Sequence, residues 1–312
     1  DYVDVQSKIS FEAKNEKSEQ LANEYFKVAV ENNGKEVKIH SPKRKCHSSN
    51  SLKKYDKWTF ENGDKAYLRK VDVNHTIYMP AEMALNMKLT YGNLTLPDLK
   101  SNLSVYVFDG ELDGGNVAGN LNLELRYSKG KMGKVASGSM KLFDASLSFA
   151  EAEDIDMDTR YSKVTTNSVK ELDIMAFEGK LNIGKIEMLT GSFRYTKCFS
   201  ETLGKVELEV FESKLEATSA EQLKLNSSYS DYKITSVGTL KLPKSFEDTY
   251  VIKELKELEG ESKYSDFSIS HLESSANMST FEGKVDIDEV DRKFTSLSFD
   301  GRYTNFDLDF EA

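Results

Sequence analysis

The chain has 312 residues, of which 38% are hydrophobic, so it can bury a core and lacks the composition of a disordered protein. Acidic residues exceed basic ones by 52 to 42, and the formal charge of −10 argues against a nucleic-acid partner bound through its phosphates. No run of about 18 apolar residues occurs, so no transmembrane helix is expected. Because Asp1 follows neither a Met nor a signal-like segment, we expect a processed or truncated chain.

Residue usage favours β structure. The chain contains 15 Tyr, 17 Phe and only four Pro, and aromatic side chains suit the pleated surface of a sheet. The two cysteines, Cys46 and Cys198, lie far apart in the sequence. A disulfide framework is therefore not expected.

Residues 1–80 predict a small mixed α/β cap. Leu21, Ala22 and Tyr25 fall on one face of a helix, and Asn-Asn-Gly at 32–34 suits a hairpin turn because Asn and Gly tolerate positive φ. The predicted elements, in chain order, are a strand over 3–11, a helix over 16–26, a hairpin of 26–30 with 36–40, a loop over 41–57 and a strand over 71–79.

Beyond Pro80 the sequence repeats every 17 residues. Steps of 17 from Tyr127, without an insertion, reach a set of reference residues: Tyr127, Asp144, Tyr161, Glu178, Tyr195, Glu212, Tyr229 and Phe246. Weaker copies include Tyr91, Phe108, Tyr264, Phe281 and Tyr303. Repeats of this length indicate a stacked architecture.

Apolar residues form columns at fixed offsets from the reference residues. Nine residues before each reference lie Ala118, Val135, Ala152, Val169, Ile186, Leu203, Ala220 and Val237. Three residues after lie Gly130, Leu147, Val164, Leu181, Cys198, Leu215, Tyr232 and Thr249, so Cys198 is predicted to be buried. Further apolar columns lie six and four residues before the reference. All columns are predicted to face one shared interior.

On either side of the reference residue the apolar positions are two apart, which predicts two short strands in each unit. These positions are even-numbered before the reference and odd-numbered after it, so the chain is predicted to bend near the reference residue. Units that cannot bury their own apolar face are stabilised by stacking. Residues 81–312 are therefore predicted to form an all-β parallel β-solenoid. The alternative is a long antiparallel β-meander, which is disfavoured because its turn tips would carry Val135, Val169 and Leu203.

A regular surface stripe precedes the reference positions, and it is the candidate ligand-binding surface. Its members are Arg126, Phe143, Arg160, Phe177, Arg194 and Phe211. Alternation separates like charges on neighbouring strands and allows cation–π contacts between Arg and Phe. The carboxylates of Asp144, Glu178 and Glu212 are expected to form a solvated charge ladder beside the stripe.

No catalytic, metal or cofactor motif is found in the sequence. Asp154, Asp156 and Asp158 alternate with apolar residues on one strand and lack a calcium loop. No histidine has a partner at the spacing of metal ligands, and the four histidines are scattered: His40, His47, His75 and His271. The neighbours Cys46 and His47 are interpreted as a surface pair. We predict no catalytic residue, no metal site and no cofactor.

The chain resembles a bacterial family of proposed adhesins of unknown function. The residues that carry the resemblance are Tyr78-Met79-Pro80, the run from Leu89 to Leu96, and repeated Tyr-Ser-Lys and Tyr-Ser-Asp steps such as Tyr127-Ser128-Lys129 and Tyr229-Ser230-Asp231. The likeness covers roughly residues 65–312. It implies a β-helix in an exported protein of the periplasm or outer cell surface, with a lipid anchor on a preceding segment as one option.

The expected function is therefore a non-catalytic binding or scaffold domain with a protein or glycan partner on a surface. Two alternatives stay open. One is a polysaccharide-active enzyme on a β-helix, whose acids would break the repeat and are best sought over 245–263. The other is a structural envelope protein without a specific ligand.

Overall fold

The computed structural model describes residues 3–33, 36–40, 44–48 and 54–310, with only the backbone described over 44–48. The chain divides into two compact units, Asp1–Pro80 and Ala81–Ala312.

The first unit is the small mixed α/β region. Its elements are β1 (Asp4–Ala13), α1 (Glu16–Tyr25), β2 (Ala29–Asn32), β3 (Val37–His40), β4 (Arg44–Ser48), β5 (Asp56–Phe60) and β6 (Lys65–Tyr78). Strands β1, β6, β5 and β4 form an antiparallel sheet in that order, and β2 pairs with β3 as a hairpin. The predicted first strand, helix, hairpin and final strand are confirmed. The predicted loop over 41–57 is wrong, because β4 lies within it and is defined by backbone pairing with β5 rather than by an apolar pattern.

The helix begins where the sequence supplies a cap. The Asn15 side chain accepts a hydrogen bond from the Ser18 N–H at 3.0 Å, which satisfies one of the free donors of the first turn. Ala22 of α1 is fully buried against Phe26, Phe60 and Leu68, which form the centre of a separate small core.

The second unit is a parallel β-solenoid of about 13 turns of about 17 residues. We call each turn a coil. Neighbouring strands pair in parallel and in register, so Val164 lies beside Leu147 and Leu181. This parallel pairing excludes the antiparallel meander. The strands are β7 (Leu85–Leu96), β8 (Leu103–Gly114), β9 (Val117–Arg126), β10 (Lys129–Met132), β11 (Val135–Phe143), β12 (Ser146–Arg160), β13 (Lys163–Phe177), β14 (Lys180–Arg194), β15 (Lys197–Phe211), β16 (Lys214–Ser228), β17 (Asp231–Phe246), β18 (Thr249–Val290) and β19 (Ser296–Phe310).

Each coil bends at three places. Along one coil the spacing of buried residues changes from two to three at each bend, as in Leu147, Phe149, Ala152, Ile155, Met157, Thr159 and Ser162. The bend between Thr159 and Ser162, at the reference residue Tyr161, is the one that the sequence predicted. The two bends around Ala152 were not predicted.

One continuous apolar cluster fills the solenoid from Leu96 to Val290, which confirms the shared interior. Cys198 is fully buried there as a free thiol, and burial raises its pKa to about 12. Two predicted core positions are wrong. Val117 rather than the exposed Ala118 pairs with Val135, because the register shifts between β9 and β11.

The other wrong core position is Thr249. Tyr250, not Thr249, lies beside Tyr232, because the coil that ends at Phe246 contains one extra residue. The assumption of an array without insertions therefore fails at its seventh step, from Tyr229 to the eighth reference position. The bend residue there is Glu247, and Phe246 precedes it.

Gly191 provides a test of the close stacking of coils. Its φ is +125°, and a Cβ added there would collide with the carbonyl oxygen of Ile174 in the neighbouring coil. We expect Gly191→Ala to lower the free energy of unfolding by about 2 kcal/mol or more. Urea titration followed by circular dichroism measures the change. The control is Gly179→Ala, whose column holds Ala145 in another coil and whose added Cβ would lie 2.9 Å from the Ser162 carbonyl oxygen, a contact that a small shift relieves. Its destabilisation is expected to be about 1 kcal/mol or less. Equal effects of the two variants would contradict the predicted collision.

Candidate functional site

The bend that the sequence predicted has an unusual backbone conformation, repeated in every coil. Its residue has positive φ although it is never Gly, with φ between 43° and 63°. The set is Tyr91, Asp109, Tyr127, Asp144, Tyr161, Glu178, Tyr195, Glu212, Tyr229, Glu247, Tyr264, Glu282 and Tyr303. Left-handed backbone costs an L-residue about 1–2 kcal/mol, so other interactions must hold this bend.

Hydrogen bonds between coils hold the bend. The Tyr161 N–H donates to the carbonyl of Phe177, and the Glu178 N–H donates to the carbonyl of Arg194, at 3.0 and 2.9 Å. The next residue is small in nearly every coil and is buried in most of them. For example, the Ser162 hydroxyl donates to the carbonyl of Arg160 at 2.6 Å and accepts from the Ala145 N–H at 3.0 Å. The left-handed turn thus keeps the N–H group of the bend residue paired while the chain changes direction.

Aromatic rings also stack along this bend, one from each coil. Their centroids lie 5.4 to 5.8 Å apart, with planes at 73° to 88°, which is the favourable edge-to-face arrangement. We call this set the aromatic ladder: Tyr91, Phe108, Tyr127, Phe143, Tyr161, Phe177, Tyr195, Phe211, Tyr229, Phe246, Tyr264, Phe281 and Tyr303. Tyr members come from the bend itself, and Phe members come from the residue before it.

The candidate stripe is placed as the sequence indicated, but its contacts differ. Phe143 lies in register between Arg126 and Arg160, and Phe177 and Phe211 continue the alternation with Arg194. In the part of the chain that the structure describes, however, these Phe rings contact Tyr rings and no Arg–Phe cation–π contact occurs. The guanidinium of Arg126 pairs instead with Glu124 at 2.6 Å, and that of Arg160 pairs with Asp158 at 3.2 Å. Tyr rings occupy the space that the prediction gave to the guanidiniums.

A long groove follows a different part of the coils, and the sequence did not reveal it. It has a volume of about 950 Å³ and runs from Asn116 to Glu221, around the two bends that the spacing analysis missed. Its floor is a buried column consisting of Val117, Val135, Ala152, Val169 and Ile186. From Val135 to Ile186 the floor residues are in register on neighbouring coils, so the groove runs straight across the coils and is periodic.

Charged side chains of both signs line the walls of the groove. One ion pair runs along a wall, between the Lys134 Nζ and Glu151 Oε2 atoms of neighbouring coils at 2.7 Å. The other charged lining residues have no ion pair with any described residue, and they are Glu153, Lys170, Glu171, Lys185, Glu187, Lys205 and Glu221. On other faces some charges pair across coils, as Lys224 does with Glu207 at 2.7 Å. Alternating charge without internal partners is what a polar ligand could use.

The irregular segment 245–263 contains a buried carboxylate. Asp248 is only 1% exposed and takes the column position that Ser occupies in other coils. Its oxygens accept hydrogen bonds from the hydroxyls of Ser227 and Ser245 and from the N–H groups of Ser230 and Phe246. Burial raises the pKa of this carboxyl, and the hydrogen bonds partly offset the effect. The acid where an enzyme site was sought is thus enclosed in the coil.

Other candidate residues are separated or paired locally. Asp154 and Asp156 are exposed on one strand as predicted, with Ile155 buried between them and Met157 buried after Asp156. The His75 Nδ1 atom lies 2.9 Å from the Ser7 hydroxyl. The side chains of Cys46 and His47 lie outside the described residues. Within the described ranges, no group of three His, Cys, Asp or Glu residues could hold a metal ion.

One histidine contact was missed by sequence reasoning. The His271 Nδ1 atom lies 2.9 Å from a Glu254 carboxylate oxygen, and its Nε2 atom lies 3.9 Å from one of Asp291. Glu254 is 17 residues away, so only the coil period could have indicated this pair.

We found no protein family model, curated protein or solved structure that matches the chain. The resemblance to proposed adhesins therefore stays a prediction. No helix in the described ranges is long and apolar enough to cross a membrane.

Glycine substitutions at two bend residues test whether the aromatic ladder stabilises the fold, because we expect them to have opposite effects. Glu178→Gly removes the left-handed strain and no ring, so we expect unfolding free energy to rise by up to about 1 kcal/mol. Tyr161→Gly also removes ring contacts with Phe143 and Phe177, so we expect a loss of about 1–3 kcal/mol. Urea unfolding of both variants is the measurement. An equal gain in both would show that the ladder contributes nothing.

The raised pKa of Asp248 predicts that the stability of the fold depends on pH. Because its pKa is higher in the folded than in the unfolded chain, the folded state holds the proton more tightly, and stability falls as pH rises above about 4. The unfolding free energy of the wild type minus that of Asp248→Ser should therefore be largest at acid pH and shrink toward neutrality. Urea titrations at several pH values from about 4 to neutral measure this difference in unfolding free energy. A difference that grows with pH would contradict the assignment.

Proposed function

We propose that the solenoid is a non-catalytic binding and scaffold module that holds an extended polypeptide segment of a partner in its groove. On the resemblance to proposed adhesins, we place this role in the bacterial envelope or at the cell surface. The observation that carries the proposal is the run of charges of both signs, without ion pairs to described residues, along a straight groove.

The shape of the groove suits a chain rather than a compact ligand. Each coil adds the same offsets at steps of about 4.8 Å, so the groove offers similar contacts along its length. A ligand that repeats or is extended can use all of these contacts at once, whereas a small molecule would use one or two coils.

The charges favour a polypeptide among extended ligands. On one wall Glu153, Lys170 and Glu187 alternate in sign from coil to coil. A peptide supplies complementary charges of both signs, while a neutral glycan supplies none, and the groove lining contains no aromatic ring on which a sugar could stack.

A polysaccharide-active enzyme is the second candidate, and one observation favours it. Asp154 and Glu171 lie in register on neighbouring strands, and Glu171 lines the groove. Neighbouring strands lie about 4.8 Å apart. Carboxylates about 5–5.5 Å apart serve in retaining glycosidases as a nucleophile and an acid–base residue, so this pair could act in that way. Product formation from a polysaccharide panel, abolished by Glu171→Gln, would support this candidate over the binding module.

The proposed function is tested by reversing charge on the groove wall. The purified chain is applied to an array that carries random-sequence peptides and neutral glycans. We expect mixed-charge peptides to be retained and the double variant Lys170→Glu with Lys185→Glu to bind them about tenfold or more weakly. Both lysines are exposed and have no ion pair with described residues, so folding should be unaffected.

The matched control makes the same change of charge outside the groove, with Lys163→Glu and Lys180→Glu. This control should bind the peptides as the wild type does. Retention of glycans alone, or equal losses in both double variants, would refute the groove as a peptide site.

A further inference from the structure

Four lysines lie side by side along the face that follows the aromatic ladder. Lys163 pairs in register with Lys180, Lys180 with Lys197, and Lys197 with Lys214. We call these four residues the lysine column. Neighbouring parallel strands lie about 4.8 Å apart, so like charges are held close together on four successive coils. Like charges directly opposite each other on a sheet are destabilising.

The described residues neutralise only one end of this column, where Asp231 lies in register beside Lys214. Lys214 pairs with Glu216 at 2.7 Å, and the Lys180 ammonium lies 5.0 Å from the centre of the Phe199 ring. Lys163 and Lys197 are exposed and have no ion pair with a described residue. In a chain with a formal charge of −10, a row of basic residues is a local exception. Repulsion retained in this way points to an anionic ligand.

The neighbouring columns show how the ligand would be arranged. Lys163 and Lys197 follow the half-exposed rings of Tyr161 and Tyr195, whereas Lys180 follows Glu178. Tyrosine coils and carboxylate coils alternate. A lysine that follows a half-exposed tyrosine therefore recurs at every second coil, or about twice 4.8 Å.

We propose that the lysine column and the adjacent Tyr161 and Tyr195 bind a linear acidic polysaccharide. Carboxylate groups on the polymer would pair with the ammonium groups, and sugar rings would lie against the exposed tyrosines. A polymer that carries one acid on every second sugar fits the two-coil period, because the intervening coil contributes Glu178 as well as Lys180. No lysine of the column lines the groove, so this site is separate from the proposed peptide site.

Hyaluronan oligosaccharides, in which acidic and neutral sugars alternate, are the probe. Titration calorimetry at low and high salt should show binding that weakens as ionic strength rises. Neutral chitin oligosaccharides of equal length should bind much more weakly. Binding of the neutral oligomers at equal affinity, or no binding of hyaluronan, would overturn the proposal.

Matched variants distinguish binding at the lysine column from non-specific electrostatic attraction. The triple variant Lys163→Gln, Lys180→Gln and Lys197→Gln should bind hyaluronan about tenfold or more weakly. The control removes three groove lysines, with Lys170→Gln, Lys185→Gln and Lys205→Gln, and should bind hyaluronan as the wild type does while losing mixed-charge peptides. Equal weakening of hyaluronan binding in both would show non-specific attraction and overturn the site.

Two further measurements distinguish a polysaccharide site from general anion binding and from a purely structural column. Single-stranded DNA offers the same sign of charge, and DNA binding as tight as that of hyaluronan would overturn the assignment to a polysaccharide. Lys197→Gln should leave the unfolding free energy unchanged or raise it, because it removes repulsion from Lys180 and Lys214. A lower stability would indicate that the column serves the fold instead of a ligand.

Discussion

In-register parallel stacking is the constraint on which the solenoid depends. Because each coil pairs with the next at a fixed step, every side chain lies beside its equivalents in the neighbouring coils. A property needed at one position is therefore repeated as a column along the rod. Apolar columns merge into one core, small hydroxyl residues line the bend, and charged columns either find partners or repel.

The left-handed bend shows how such a column can maintain strain. Glycine would relieve the backbone at the bend, yet no bend residue in the described solenoid is Gly. Each Tyr inside the ladder gains two ring neighbours, and each Asp or Glu leaves room for a Phe that precedes it. The alternation gives one ring to each coil, so the aromatic ladder has a period of two coils. The strain is distributed evenly, and the stabilising contacts are distributed in the same way.

The repeat made the solenoid predictable, because columns such as Val135, Ala152 and Val169 are visible in the sequence without any knowledge of the backbone. The sign of φ at Tyr161 is not visible, since Tyr and Glu rarely adopt it, and so the ring contacts of Phe143 were assigned to Arg. One inserted residue before Glu247 shifted the later columns. The groove was missed for a further reason: it depends on two bends around Ala152, where polar residues at successive positions give no periodic signal.

The treatment of charge separates surface that serves the fold from surface available to partners. Where neighbouring coils carry opposite charges, the ions pair across the gap, as Lys241 does with Glu259 at 3.4 Å. Such exposed pairs stabilise a protein only slightly. Stability alone therefore gives no reason for them to occur on one face and not on another. Most charged residues of the groove walls, and Lys163 and Lys197 of the lysine column, instead form no ion pair with a described residue. Surface charge left without an internal partner is better explained by binding than by folding.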